Sequence, residues 1–114
     1  MKIQTLKKRK DFILSNKFSK KQHSNNFILQ KYKNPREVDS HLRFGFTATK
    51  RIGNAVSRNR AKRRMRSLVT FFCKNNDMSF ENGNNYVLIA KVNLIKASFE
   101  SLKNEMQNCL NKLW

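Results

Sequence analysis

Between Lys50 and Arg66 the chain places Lys50, Arg51, Arg58, Arg60, Lys62, Arg63, Arg64 and Arg66, and no acid; the nearest carboxylates in sequence are Asp39 and Asp77. From 58 to 66 arginine outnumbers lysine five to one. A guanidinium presents a planar fork of donors that matches phosphate oxygens and stacks on bases, which a lysine ammonium does not. Charge runs are ordinarily solvated faces, but solvated faces mix signs, and this one has none to mix. The chemistry on offer is recognition of a polyanion. If about 5–6 of these cations each neutralise a phosphate, log K falls with log salt at a slope of about −4 to −5.

No catalytic pattern accompanies the run. His23 and His41 read as residues of polar loops, and no Ser/His/Asp or Cys/His spacing is present. The seven acids, Asp11 and Glu37 among them, are scattered, with no DxD or ExxE cluster for a metal. Gly53 stands without the lysine of a nucleotide-binding glycine loop. Cys73 and Cys109 lie far apart, outside any CxxC or Cys/His cluster. That argues against structural zinc and fits a reducing cytoplasm better than a secreted scaffold.

The whole chain shares the bias of its basic run. A formal net charge of +18 on 114 residues is a large self-repulsion, so a polyanionic partner is expected. Nucleic acid stands ahead of an anionic membrane surface. The apolar fraction of 39%, with nine Phe, suits one modest core and a single domain over 1–114. No apolar run approaches about 18 residues, and the N-terminal MKIQTLKKRKDF is not followed by one of signal length, so a soluble, non-secreted protein is expected.

The elements that must position the cations follow from periodicity. A short first helix is expected over 8–18; residues 19–26 fit either a strand or a turn. Residues 26–33 alternate as a strand, with Phe27, Leu29 and Lys31 on one side and Ile28, Gln30 and Tyr32 on the other. Asn34-Pro35 breaks it, and 36–40 is a polar loop. In a second strand over 42–49, Leu42, Phe44, Phe46 and Ala48 face the core. Over 50–57 a connection turns at Gly53-Asn54, and Ser57 or Asn54 caps the helix that follows. In that helix Ala61, Met65, Leu68, Val69 and Phe72 make one apolar stripe. Asn59, Lys62, Arg63 and Arg66 fall on or near the opposite face, Arg60 and Arg64 on a flank, and Arg58 towards the apolar side. Asn75-Asn76 ends it. The run 86–91 reads as a buried central strand. Ile95, Phe99, Leu102, Met106, Leu110 and Leu113 mark a terminal helix. The fold class is α+β, a two-layer sandwich with helices mainly on one face of one sheet. Most Phe belong to the core, while Phe12, Phe18 and Tyr32 are candidates to stack on single-stranded bases.

The run from Lys50 to Arg66, KRIGNAVSRNRAKRRMR, resembles the signature of bacterial ribonuclease P protein subunits, K-[KR]-x-G-x-A-V-x-R-N-R-x-K-R-x-x-R directly after a strand. The segment LKKRKDF at 6–12 is similar to the start of that family's first helix, 86–91 to its last strand, and 110–114 to the end of its terminal helix. The resemblance implies the order α-β-β-β-α-β-α with one mixed sheet, a left-handed βαβ crossover between the third and fourth strands, and therefore a further early strand in 19–25. It implies a subunit of an endoribonuclease that removes the 5′ leader of precursor tRNA by Mg²⁺-assisted hydrolysis. The catalytic centre and the Mg²⁺ would be held by the partner RNA, and the polypeptide alone would be inactive.

Two surfaces follow from the same resemblance. Lys50, Arg51, Arg60, Lys62, Arg63 and Arg66 would dock on the ribonuclease P RNA. Arg58 and Asn59 would stand at the rim of a cleft for the single-stranded leader, with Phe12, Phe18 and Tyr32 as its aromatics. Phe12 matches the first of the family's two helical aromatics, whereas the second falls at Asn16, two residues before Phe18. The family's strand tyrosine falls at Gln30, with Tyr32 on the same face. A non-catalytic RNA-binding protein of ribosomal type would share the charge and fold class. A DNA-binding protein is disfavoured, since the basic helix follows a strand and no helix-turn-helix spacing is present.

Overall fold

The structure is a computed structural model that describes residues 4–5, 20–32, 43–74, 80 and 85–113. The helix expected over 8–18, the break at Asn34-Pro35, the loop 36–40, His41, Leu42 and Asn75-Asn76 lie outside the described residues.

One mixed sheet is built from β1 (Gln4–Thr5), β2 (Lys20–His23), β3 (Phe27–Tyr32), β4 (Arg43–Thr47) and β5 (Asn85–Ala90), in the spatial order β1-β4-β5-β3-β2. The two-residue β1 pairs parallel with β4, and no periodicity announces a strand so short. β2–β3 and β3–β5 are antiparallel, and β4–β5 is parallel. Helix α1 (Ala55–Lys74) joins the parallel neighbours β4 and β5, which makes the expected βαβ connection between the third and fourth full strands. A 3₁₀ turn (Val92–Ile95) and helix α2 (Phe99–Leu113) follow.

β2 occupies the segment whose periodicity was silent. Its residues, Lys-Lys-Gln-His, are mostly exposed, and a polar edge strand needs no apolar alternation to pair. His23, expected in a loop, is therefore the last residue of a strand, opposite Ile28.

Alternation sorts the rest. Phe27, Leu29, Phe44, Phe46, Tyr86, Leu88 and Ala90 face the helices and share one buried cluster with Ala61, Met65, Leu68, Val69 and Phe72 of α1 and Leu102, Met106 and Leu110 of α2. α1 lies over β4 and β5, and α2 over β2 and β3. Phe44 and Tyr86, paired in register, stack at 5.6 Å, and Phe80 meets both edge-on at 5.0 Å. β5 is buried on both faces, as its unbroken apolar run predicts.

Two expectations change at the C-terminal end. Ile95 belongs to the 3₁₀ turn and not to the terminal helix, because the Ser98 hydroxyl caps the new helix by accepting from the Ser101 N–H at 3.1 Å. Phe71, expected in the core, is 37% exposed: at its position in α1 it falls off the apolar stripe onto a flank.

Candidate nucleic-acid interface

The approach to the basic helix is a rigid turn. After β4 the chain makes a 3₁₀ turn (Lys50–Ile52) and reaches Gly53 at φ 136°, ψ −148°, backbone that L side chains rarely adopt. The Asn54 side chain then caps α1, its Oδ1 accepting from the Ser57 N–H at 2.9 Å while its carbonyl accepts from the Arg58 N–H. Of the two expected caps it is Asn54 that serves. Arg58 turns back and donates from Nη1 to the Gly53 carbonyl at 3.0 Å, an exposed bond with which its guanidinium clasps the turn. In a Gly53→Ala variant the new Cβ lies 3.3 Å from both Cβ and Oγ of Ser57. The strained backbone there costs about 1–3 kcal/mol, to be read as a lower denaturant midpoint at unchanged slope.

Along α1 the cations divide by helical phase. No acid occurs anywhere in the helix. Arg60, Arg63 and Arg66 are exposed and Lys62 is half-buried. The Arg66 guanidinium carbon sits 5.5 Å from the Phe46 ring centroid, on the flank towards β4. Arg64 takes the other flank and is fully committed. Its Nη1 donates to the carbonyls of Leu94 (2.7 Å) and Ile95 (2.6 Å), and its Nη2 to that of Ala97 (2.5 Å). One of the eight cations of the run is thus a brace between α1 and the approach to α2, not part of the outer charge.

Among the described residues one groove lies at the turn before this helix and another along the helix itself, and they share no lining residue. The larger, about 790 Å³, lies on the sheet face away from the helices: Ile28 and Ile89 are on its floor, and His23, Lys50, Arg51 and Lys91 bring charge or polarity to its walls. The second, about 390 Å³, runs along α1 between Arg63, Arg66 and Lys74. Lys50 and Arg51, grouped in sequence with the helix cations, therefore stand in a different groove from Arg63 and Arg66. Arg58 is half-buried in the turn, whereas its neighbour Asn59 is exposed. Phe12 and Phe18 lie outside the described residues; Tyr32 ends β3, its backbone opposite Asn85 of β5.

Sequence reasoning missed His23 and Lys91 in the larger groove, and Ser67, Thr70, Phe71 and Lys74 in the smaller. For the last four a signal existed. With Arg63 and Arg66 they recur at i, i+3, i+4, i+7, i+8 and i+11, the mirror of the apolar stripe. Neither thiol is poised for chemistry: burial pushes Cys73 up and, with the nearby Glu105 carboxylate, Cys109 as well. Glu105 itself is a clamp, accepting from the Asn26 N–H (2.9 Å) and Nδ2 (2.6 Å) and fixing the β2–β3 turn to α2.

Comparison with known proteins agrees with the geometry. The family model Ribonuclease P matches residues 1–114. The ribonuclease P protein component of Ruegeria pomeroyi is 34% identical over 112 residues, covering 97% of this chain and 86% of that protein. That of a Nitratiruptor species is 33% identical, over 97% and 93%. Among solved structures, the ribonuclease P protein from Thermotoga maritima superposes with a TM-score of 0.75 at 25% identity, covering 97% of this chain and 98% of that one. The Staphylococcus aureus ribonuclease P protein gives 0.75 at 26% identity, over 97% and 95%.

Proposed function

This chain belongs to the ribonuclease P protein family and is a subunit of a tRNA-processing endoribonuclease; we propose that it works as a single RNA-binding domain over 1–114 serving two RNAs. The outward side of α1, through Arg60, Lys62, Arg63 and Arg66, docks on the catalytic ribonuclease P RNA. The 5′ leader of precursor tRNA passes the sheet face away from the helices, beside Arg58, Asn59 and Tyr32, with Phe12 and Phe18 as further stacking groups. Lys50 and Arg51 extend the basic surface at the turn. The observation that carries this reading is the acid-free outer side of α1, separated by the sheet from a groove with an apolar floor and cationic walls. Phosphate contacts of this kind position an RNA without reading its sequence.

The reaction's Mg²⁺ belongs, in this proposal, to the partner RNA. The two described carboxylates are both engaged, Glu100 with Lys103 at 2.8 Å and Glu105 with Asn26. No group of three His, Cys, Asp or Glu among the described residues could hold a metal. The described residues do not fit a Mg²⁺ site, and the polypeptide's contribution is to hold the two RNAs in register. No helix among the described residues is long and apolar enough to cross a membrane. The working compartment is proposed to be the cytoplasm, with neither DNA nor membrane as partner.

Reconstitution tests this directly. Added to a bacterial ribonuclease P RNA, the chain lowers the Mg²⁺ and the salt needed to release the leader and leave a 5′-phosphate on the tRNA, while alone it cleaves nothing. Absence of stimulation across a full titration sinks the reading in favour of an RNA-binding protein of ribosomal type. Separate surfaces predict separable defects: Phe12→Ala weakens binding of long-leader substrates about tenfold, the worth of one stacked base, and leaves assembly with the catalytic RNA near wild type. Equal loss in both assays removes the separate cleft.

A further inference from the structure

We infer that the C-terminal half of α1 is a preformed seat for one sugar–phosphate strand of the catalytic RNA, in which Ser67, Thr70 and Lys74 act beside Arg63 and Arg66. The inference rests on the proposed docking of α1 on that RNA and carries the interface about two helical turns beyond the basic run, which ends at Arg66. Among the described residues the groove is lined by Arg63, Arg66, Ser67, Thr70, Phe71 and Lys74, with three cations and no acid. From Arg63 to Lys74 it follows the helix for about 16 Å, at 1.5 Å per residue. Both of its walls are set from outside α1. On the β4 side the Arg66 guanidinium carbon rests 5.5 Å from the Phe46 ring centroid. On the α2 side Phe71 meets Phe99 edge-on at 6.2 Å, and the Lys103 ammonium stands 4.7 Å from its ring centroid, so this ring serves as a wall. Lys103 is held in turn by Glu100 at 2.8 Å. Walls ordered before binding leave little side-chain freedom to lose when a strand enters.

The chemistry between the walls fits the repeating unit of an RNA strand. Ser67 and Thr70 fall between Arg66 and Lys74 along the helix; Ser67 and both cations are exposed, and Thr70 is half-buried. The cations suit phosphate oxygens, and the hydroxyls suit either a phosphate or a ribose 2′-hydroxyl, which both donates and accepts. No carboxylate lies in α1 to compete for the cations. The groove is continuous with the proposed docking face, since Arg63 and Arg66 belong to both. An apolar partner would leave three cations without counter-charge. Contacts with phosphate and sugar fix the register of the helix on the RNA and read none of its bases.

Three variants of the full chain test it, each checked for folding by circular dichroism and titrated with ribonuclease P RNA across a range of salt. Lys74→Gln makes the plot of log K against log salt shallower by about 1, more than Lys96→Gln, an exposed lysine outside the groove. Ser67→Ala/Thr70→Val keeps the helix and its charge but removes both hydroxyls. It lowers affinity about tenfold, the worth of two neutral hydrogen bonds, with the salt slope unchanged because no counterion is involved. Wild-type affinity in the folded hydroxyl variant, or a Lys74→Gln slope no different from that of Lys96→Gln, overturns the seat. Lost binding of Lys74→Gln to phosphatidylglycerol vesicles with RNA affinity intact also overturns it, assigning the groove to a membrane. Failure of the wild-type chain to bind the RNA at all is the distinct failure of the functional reading.

Discussion

The double variant Arg63→Ala/Arg66→Ala binds ribonuclease P RNA about a hundredfold more weakly than wild type, or roughly 3 kcal/mol. Both side chains are exposed on α1, both line its outer groove, and no carboxylate lies in the helix to compete for them. A charge-assisted contact is worth about 1.5–3 kcal/mol, and the lower end applies because both sites are open to solvent and salt. Two lost phosphate contacts also make the plot of log K against log salt shallower by about 2. The fold is little disturbed: Arg63 has no described partner to abandon, and Arg66 gives up its place over Phe46, worth about 0.5–1 kcal/mol at an exposed site. Unchanged affinity, or an unchanged salt slope, removes α1 from the RNA interface.

Arg64→Ala has the opposite signature, although Arg64 sits between the other two. Its guanidinium bonds the carbonyls of Leu94, Ile95 and Ala97, which close the chain between β5 and α2. Truncation leaves three part-buried acceptors with one donor group gone, at a cost of about 2–4 kcal/mol. For a domain of this length that lowers the thermal midpoint by roughly 10 °C. Arg64→Lys recovers only part of it, since one ammonium cannot span three carbonyls as the planar fork does. Measured well below the midpoint, RNA affinity stays within about threefold of wild type, the effect of one bulk charge on a chain of +18. An unchanged midpoint, or an RNA defect as large as that of the double variant, refutes the assignment of Arg64 as a brace.

How much of this was legible in the sequence depended on how local the cause was. The apolar stripe of α1, Ala61 to Phe72, follows from a period of 3.6 residues and is buried residue for residue as expected. The strands β3, β4 and β5 carry alternation or an unbroken apolar run and appear where those patterns place them. β2 carried neither pattern, because an edge strand is held by β3's backbone and presents polar side chains to solvent; the residues left strand and turn both open, and the family resemblance pointed to the strand. The stripe at 67, 70, 71 and 74 was legible and passed over, since it continues the basic face in hydroxyls and an aromatic in place of arginine.

By itself, then, the sequence determined the acid-free run of cations, the absence of catalytic spacing among its acids and histidines, and the helix on which the cations ride. These rest on composition and on periodicities spanning a few residues. The tertiary structure decided how the cations are divided. Arg64 meets carbonyls 30 to 33 positions later, Lys50 and Arg51 join a groove with His23 and Lys91, and Lys103 comes from another helix to stand over Phe71. Each of those pairings depends on which strands lie side by side and where α2 packs, and no local period encodes an encounter between residues so far apart in the chain.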